Sequence, residues 1–331
     1  LPTFRRDSLK VEMPDRSLVK IPYFRVEGDG AGPTFYVQAA QHGIELTGIY
    51  TVRLLLNSVM AERLNGTLIA VPIANPLAVR WRRHFYKMEP GEPYSSSHPH
   101  QMNRLWPGNP ERNETERLAY SLYTSLVEQS DYVVDLHCWE QWVGATAIAM
   151  GWDPLSIELA EYSLLPFTEL GFLDKGFIVH KDMLSAVATE AGKHALIIEH
   201  SGQRWVVPEQ AKLVSKGLVN ILRWLGMLPG EAARSEAQLM RSRDSVEVYA
   251  PEGEWIIITL KRPGEAVEKG DVIARLLDME SLEEKAVESP VHGLVYWIGS
   301  TRPNADTRPS EEVQVTSKGE KYRVATICEL K

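Results

Sequence analysis

His42 and Glu45 stand three positions apart in QHGIELTG, residues 41–48, directly after the apolar run TFYVQAA (34–40). They open what reads as a helix, and that spacing lets an imidazole and a carboxylate reach one point, so both can coordinate a single cation. VVDLHCWE supplies a second imidazole: His137 closes the apolar run DYVVDLH, residues 131–137. Strand ends of an α/β sheet are where ligands collect. Two imidazoles and a carboxylate, with a fourth position left to water, make the donor set of a catalytic zinc ion. Asp135 lies two residues before His137 and shares its strand face, where it can accept from an imidazole N–H and orient the ring. The plainer alternative is a polar turn in which Glu45 is a helix-N-terminal carboxylate favoured by the dipole.

These residues need a scaffold, and to about residue 240 the chain alternates short β-rich runs with longer amphipathic stretches. Strands are expected at 34–40, 67–73, 131–137, 146–151, 176–180 and 194–200, and helices at 48–64, 114–129 and 208–226. Near-continuous apolar strands separated by helices imply an α/β domain with its sheet covered on both faces. Residues 84–112 break the alternation with prolines, glycines and SSSHPHQ, the mark of a long functional or disordered loop. LPGEAARSEAQLMRSRDS then reads as a polar linker. The organisation is therefore an α/β domain over 1–240 and a smaller β-rich domain over 246–331. In the latter, EAVEKGDVIARL and ESPVHGLVYW resemble the halves of a lipoyl- or biotinyl-carrier-like sandwich. The MKM attachment tripeptide is absent, Lys285 reads as a solvated charge, and the domain reads as structural.

A formal net charge of −8 argues against nucleic acid as a partner, because phosphate neutralisation needs a concentrated basic surface. No apolar run approaches the roughly 20 residues of a membrane span, and LPTFRRDSLK has no signal-peptide core. Two cysteines, Cys138 and Cys328, lie far apart without CxxC spacing, which fits a reducing compartment. A cytoplasmic location is expected.

Three further segments carry a resemblance. NPLAVRWRRHFY (75–86) follows a strand end, QMNRLWPG (101–108) follows the long loop, and HALIIEHSG (194–202) puts Glu199 at the tip of another apolar run. HGxE, NPxA followed by arginines, NRxxPG, D-x-H and a strand-terminal glutamate, in this order, resemble the succinylglutamate desuccinylase/aspartoacylase family from about residue 34 to 202. The small β domain also occurs in that family. The resemblance implies a zinc-carboxypeptidase-like mixed sheet flanked by helices, with a barrel-sandwich-like C-terminal domain and one zinc per chain. It implies His42, Glu45 and His137 as the zinc ligands and Glu199 as general base. Asn103 and Arg104 would hold a substrate carboxylate, and an arginine of the RWRR run, Arg83 or else Arg82, would polarise the scissile carbonyl. The implied reaction is hydrolysis of the amide of an N-acyl amino acid or related N-acyl compound, a small molecule bearing a carboxylate, and a homo-oligomer is compatible with it.

The chain departs from the family pattern at two places. Gln101-Met102-Asn103-Arg104 stands where the family often has Asp-Leu-Asn-Arg, and the interval from Arg83 to Asn103 is long and contains His98 and His100. Those two read as polar loop residues or as the lining of a pocket mouth. His200 faces the other side of its strand from Glu199 and is not expected to bind metal. The competing readings are a zinc carboxypeptidase acting on small peptides, a non-catalytic zinc-binding protein, and a carrier module resting on residues 246–331 alone.

Overall fold

The apolar runs of the N-terminal region become an eight-stranded mixed sheet in a computed structural model that describes residues 2–139, 143–173, 179–235, 245–299, 316 and 322–330. Its strands are β1 (Thr3–Glu12), β2 (Leu18–Glu27), β3 (Thr34–Ala39), β4 (Thr67–Val71), β5 (Tyr132–Trp139), β6 (Thr146–Met150), β7 (Phe167–Gly171) and β8 (His194–Ser201). They lie in the order β1-β2-β4-β3-β5-β8-β6-β7. The central β4-β3-β5-β8 block is parallel, β1 and β2 are antiparallel on one flank, and β6 runs antiparallel to β8 on the other. The central strands are buried along almost their whole length, which is why they read as continuous apolar runs.

Two expectations change. The β1–β2 hairpin was not foreseen, because TFRRDSLKVE and LVKIPYFRVE carry the charges of a half-exposed sheet edge. The strand expected at 176–180 falls largely on 174–178, outside the described residues; FTELG (167–171) forms the strand beside β6 instead.

Helices α1 (Thr47–Met60), α2 (Pro76–Trp81), α3 (Glu114–Leu122), α4 (Pro154–Tyr162), α5 (Leu184–Glu190) and α6 (Pro208–Trp224) surround the sheet. On one face Leu118 and Leu122 of α3, with Leu184 and Ala188 of α5, share a core with Tyr36, Ile69, Val133 and Ala195. Helix α1 covers the opposite face, and Gly48 brings it very close. A Cβ there would stand 2.9 Å from the Ala39 Cβ and 3.2 Å from that of Leu136.

The sheet belongs to the first of two compact units, Leu1–Pro90, Ser96–Trp139 and Thr146–Leu239; the second takes Gly91–Ser95, Glu140–Ala145 and Met240–Lys331. The second contains β9 (Ser245–Tyr249), β10 (Trp255–Thr259), β11 (Ala266–Val267), β12 (Val272–Asp278), β13 (Glu284–Glu288), β14 (Gly293–Ile298) and β15 (Arg323–Glu329). They form antiparallel sheets β10-β12-β13 and β11-β14-β15-β9 around a core that includes Ile257, Ile273, Leu276, Val295 and Ile327. Lys285 is exposed within β13, paired in register with Leu276. Among the described residues no helix is long and apolar enough to cross a membrane, and neither Cys138 nor Cys328, both buried, takes part in a disulfide.

Because Gly48 sets the approach of α1 to the sheet, Gly48→Val should cost about 1–3 kcal/mol through overpacking. Exposed Lys212→Ala on α6 should stay within about 0.5 kcal/mol. Urea unfolding midpoints of the two variants check this.

Candidate metal centre and active site

The segment after β3 forms a turn, not the first turn of a helix. The Glu45 N–H donates to the His42 carbonyl at 3.2 Å, and α1 begins only at Thr47. The proximity of His42 and Glu45 therefore comes from a reverse turn, which two other segments pin. Leu46 N–H donates to the Gly202 carbonyl just past β8 (3.3 Å), and Gly43 N–H to the His84 carbonyl (3.1 Å). Glycine is needed at 43 because a Cβ would lie 2.1 Å from the Ala78 oxygen and 2.5 Å from that of Arg83. Asp135 and His137 come from one face of β5, and Glu199 of β8 is the register partner of His137, so their side chains leave the sheet on the same side.

Glu45 joins the two imidazoles. Its Oε1 lies 2.7 Å from His42 Nδ1 and its Oε2 3.1 Å from His137 Nδ1, and the rings stand 5.2 Å apart. Each ring passes its far nitrogen to another buried group: His137 Nε2 lies 3.0 Å from Asp135 Oδ2, and His42 Nε2 2.7 Å from Gln101 Oε1. Asp135 is itself gripped by Gln38 Nε2 at 3.0 Å and by the amide of Gln41. The Tyr36 hydroxyl donates to Gln38 (2.7 Å) and the Trp106 indole N–H to Gln41 (2.8 Å). A buried chain of hydrogen bonds thus runs from Tyr36 to Gln101. Of its outer members, the sequence alone assigns a role at the centre only to Asp135. Gln38, a polar residue inside TFYVQAA, was a legible signal.

The charges follow from burial. Desolvation pushes the Glu45 carboxyl up, but His42 and His137 outweigh it and hold it well below the usual carboxylate range. Desolvation pushes the His137 imidazole down, and Asp135 and Glu45 overcome that and raise it strongly. Two buried carboxylates around two imidazoles make a site that calls for a cation, and an imidazole–carboxylate donor set suits zinc. Glu199 behaves oppositely: burial lifts its carboxyl well above the usual range, against the pull of His137 and with a push from Glu45. Its Oε2 is buried without a hydrogen-bond partner among the described residues, while the Trp139 side chain hydrogen-bonds the carboxylate.

A third imidazole, not foreseen, joins the centre. His84 stacks on His42 with ring centroids 4.2 Å apart, and His42, Glu45 and His84 offer ligand atoms within 4.8 Å of one another. Arg83, the preceding residue, turns its Nη1 to the Arg82 carbonyl (3.1 Å), and Arg82 is the exposed, left-handed C-cap of α2. Asn103 and Arg104 sit on a short 3-10 turn, Met102–Arg104, whose cap is the Gln101 side chain accepting from the Asn103 N–H at 3.3 Å. Asn103 Oδ1 is buried without a hydrogen-bond partner among the described residues; Arg104 Nη1 donates to the Asn103 carbonyl at 2.8 Å. His98 stacks on Phe85, and His100 is buried with Nδ1 2.9 Å from Thr115 Oγ1, so His100 is an interior residue. His200 lies on the opposite sheet face, its Nδ1 3.3 Å from Cys138 Sγ.

Residues 31–225, more than half of the chain, match the family model of the succinylglutamate desuccinylase/aspartoacylase catalytic domain. The chain belongs to that family. Among curated relatives, the Nα-acetyl-L-2,4-diaminobutyric acid deacetylase of Halomonas elongata is 28% identical over 255 residues, 76% of this chain and 72% of the relative. An aspartoacylase family protein from Mesorhizobium loti shares the fold with a TM-score of 0.68 at 21% identity, covering 100% of this chain and 96% of its own. The product-bound ectoine utilization protein EutE (DoeB) of Ruegeria pomeroyi does so at 0.66 and 23%, covering 99% and 98%. The desuccinylase/aspartoacylase match spans the strands and turns that carry every residue of the centre from His42 to Glu199.

His200 gives a pH prediction separable from the metal centre. Burial pushes its imidazole from 6.5 down to about 4. Between those values the unfolded chain binds the proton and the folded one does not, so stability falls as pH drops through that window. The slope should be about 1 kcal/mol per pH unit. Chemical unfolding from pH 7 to 4.5 should show this component in the native protein and its loss in His200→Leu.

Proposed function

We propose that the protein is a zinc-dependent hydrolase that cleaves the amide bond of an N-acyl amino acid or related N-acyl compound. The observation that carries this reading is the convergence of His42, Glu45 and His137 beside the raised carboxyl of Glu199, on the sheet of a desuccinylase/aspartoacylase domain. His42, Glu45 and His137 would hold the metal, with Asp135 and Gln101 fixing the two rings from behind. Bound there, zinc supplies a Lewis acid for the carbonyl and a water of lowered pKa.

The chain's own residues do the rest. Glu199 takes the proton of the attacking water and returns it to the leaving amine; burial raises its carboxyl above the usual carboxylate range, which makes it the stronger base. Trp139, hydrogen-bonded to that carboxylate, keeps it aimed. Asn103 and Arg104 hold the substrate's carboxylate, an arginine fork being suited to two-oxygen recognition. The relative named for deacetylating Nα-acetyl-L-2,4-diaminobutyric acid supports small N-acetyl amino acids as the first substrates to try.

The test is turnover of N-acetyl, N-succinyl and longer N-acyl amino acids by zinc-loaded protein, with dipeptides alongside. Release of free amino acid from one N-acyl class is expected; faster dipeptide cleavage would instead make the protein a peptidase. Glu199→Gln should retain zinc while turnover falls about 10²- to 10⁴-fold; undiminished turnover would assign the base elsewhere. Arg104→Ala should erase the preference for an acid substrate over its neutral amide, a loss of roughly ten- to a hundredfold in kcat/KM. Arg104→Lys should not restore it, because the planar fork is gone. Equal discrimination in all three proteins would show that the carboxylate is read by other residues.

A further inference from the structure

His84 is delivered to the metal centre too deliberately for a loop residue passing by. Its carbonyl accepts from Gly43, the residue following His42, and Gly43 is the one residue type that lets the 78–84 segment lie this close. Its ring stacks on His42 at 4.2 Å with 30° between planes, and Phe85 meets it edge-on at 4.7 Å. A ligand nitrogen of His84 lies within 4.8 Å of ligand atoms of both His42 and Glu45. His137 stands at 3.1 Å from Glu45 Oε2, with His42 on Oε1. Three imidazoles therefore surround one carboxylate.

Resting on the metal site described above, we propose that His84 is a fourth protein donor, so that the resting centre is held by three imidazoles and the Glu45 carboxylate. Four protein donors close a zinc site, whereas catalytic sites keep a position open. The fourth donor must therefore be the one able to withdraw. His84 fits that role: His42, Glu45 and His137 are buried, while His84 is part-exposed and comes from a loop, not from the sheet or the turn joined to it. The consequence is a metal gripped more tightly at rest than two imidazoles and a carboxylate would manage, and a position that substrate has to claim from a side chain.

The test uses the full-length protein stripped of metal and titrated with zinc against a chromophoric chelator. His84→Ala and His84→Gln should each bind zinc at least about tenfold more weakly than the native protein, since even groups behind the ligands are worth about 10- to 100-fold. Cobalt(II) absorption spectra of native and variant proteins should differ in band position and intensity. Circular dichroism confirms that each variant folds. Should neither variant fold, zinc-edge X-ray absorption of the native protein decides alone: three imidazoles are expected, and two overturn the proposal. Equal zinc affinity and superimposable cobalt spectra in folded His84→Ala would also overturn it, leaving the three-ligand site intact. A native protein that binds no metal would overturn both.

Discussion

A carboxylate with both oxygens buried has to be met by positive charge or by hydrogen-bond donors, because desolvation otherwise drives it to its neutral form. Glu45 is in that position, and the rest of the first unit is arranged to meet it. One imidazole faces each oxygen, and each imidazole is backed by a further acceptor, Asp135 for His137 and Gln101 for His42. The backing groups have partners in turn, out to Tyr36 and Trp106. A partly satisfied buried network of this size would be costly, so its completeness keeps the rings in place. The same low-dielectric pocket lifts Glu199, and among the described residues His137 is the one imidazole that pulls it down. Two glutamates close in space are thus set to opposite protonation tendencies by their neighbours, one suited to holding a cation and the other to moving a proton.

The sheet makes this arrangement rigid. Strand parity sends Asp135, His137 and Glu199 to one side and Cys138 and His200 to the other, where α1 lies. The ligand turn is tied at both ends by backbone hydrogen bonds, to the residue after β8 and to His84. Gln101 ties a further knot. Its side-chain oxygen accepts from the Asn103 N–H and faces His42 Nε2, so one neutral amide touches both a candidate ligand and the turn bearing Asn103 and Arg104. Gln101 joins the two regions without adding a further carboxylate to a pocket that already holds Glu45, Asp135 and Glu199.

The parts of the fold legible in the sequence are those whose pattern is set by burial on both faces. The runs at β3, β4, β5, β6 and β8 were read to within two residues of their ends, because strands buried on both faces have no solvent-facing polar side to confuse them. The β1–β2 hairpin was not, since its exposed face carries arginines and lysines that mimic a polar tail. That His42, Glu45, Asp135 and His137 lie close together was legible from their types at a strand end or in the turn after one, while Glu199 was singled out through the family resemblance. His84 and Gln101 stand inside NPLAVRWRRHFY and QMNRLWPG, where nothing in their spacing marks them as part of the centre. In NPLAVRWRRHFY the arginines carry the resemblance, and Gln101 differs from the family pattern only in lacking a carboxylate. Which residue of a turn faces inward is decided by φ and ψ, as with Arg82 at a φ of 57°, and no spacing rule reveals that. His98 and His100 show the same limit: His100 is placed in the interior against Tyr86 and Thr115, while His98 stacks on Phe85 and stays part-exposed.

The central claim is that the buried carboxylate of Glu45 and its flanking imidazoles form a metal centre. Anomalous diffraction from crystals of the zinc-loaded protein, recorded on both sides of the zinc absorption edge, tests it most directly. The account requires a single strong anomalous peak within bonding distance of Glu45, His42 and His137. A map with no peak there, or with zinc bound only at surface residues, would contradict it.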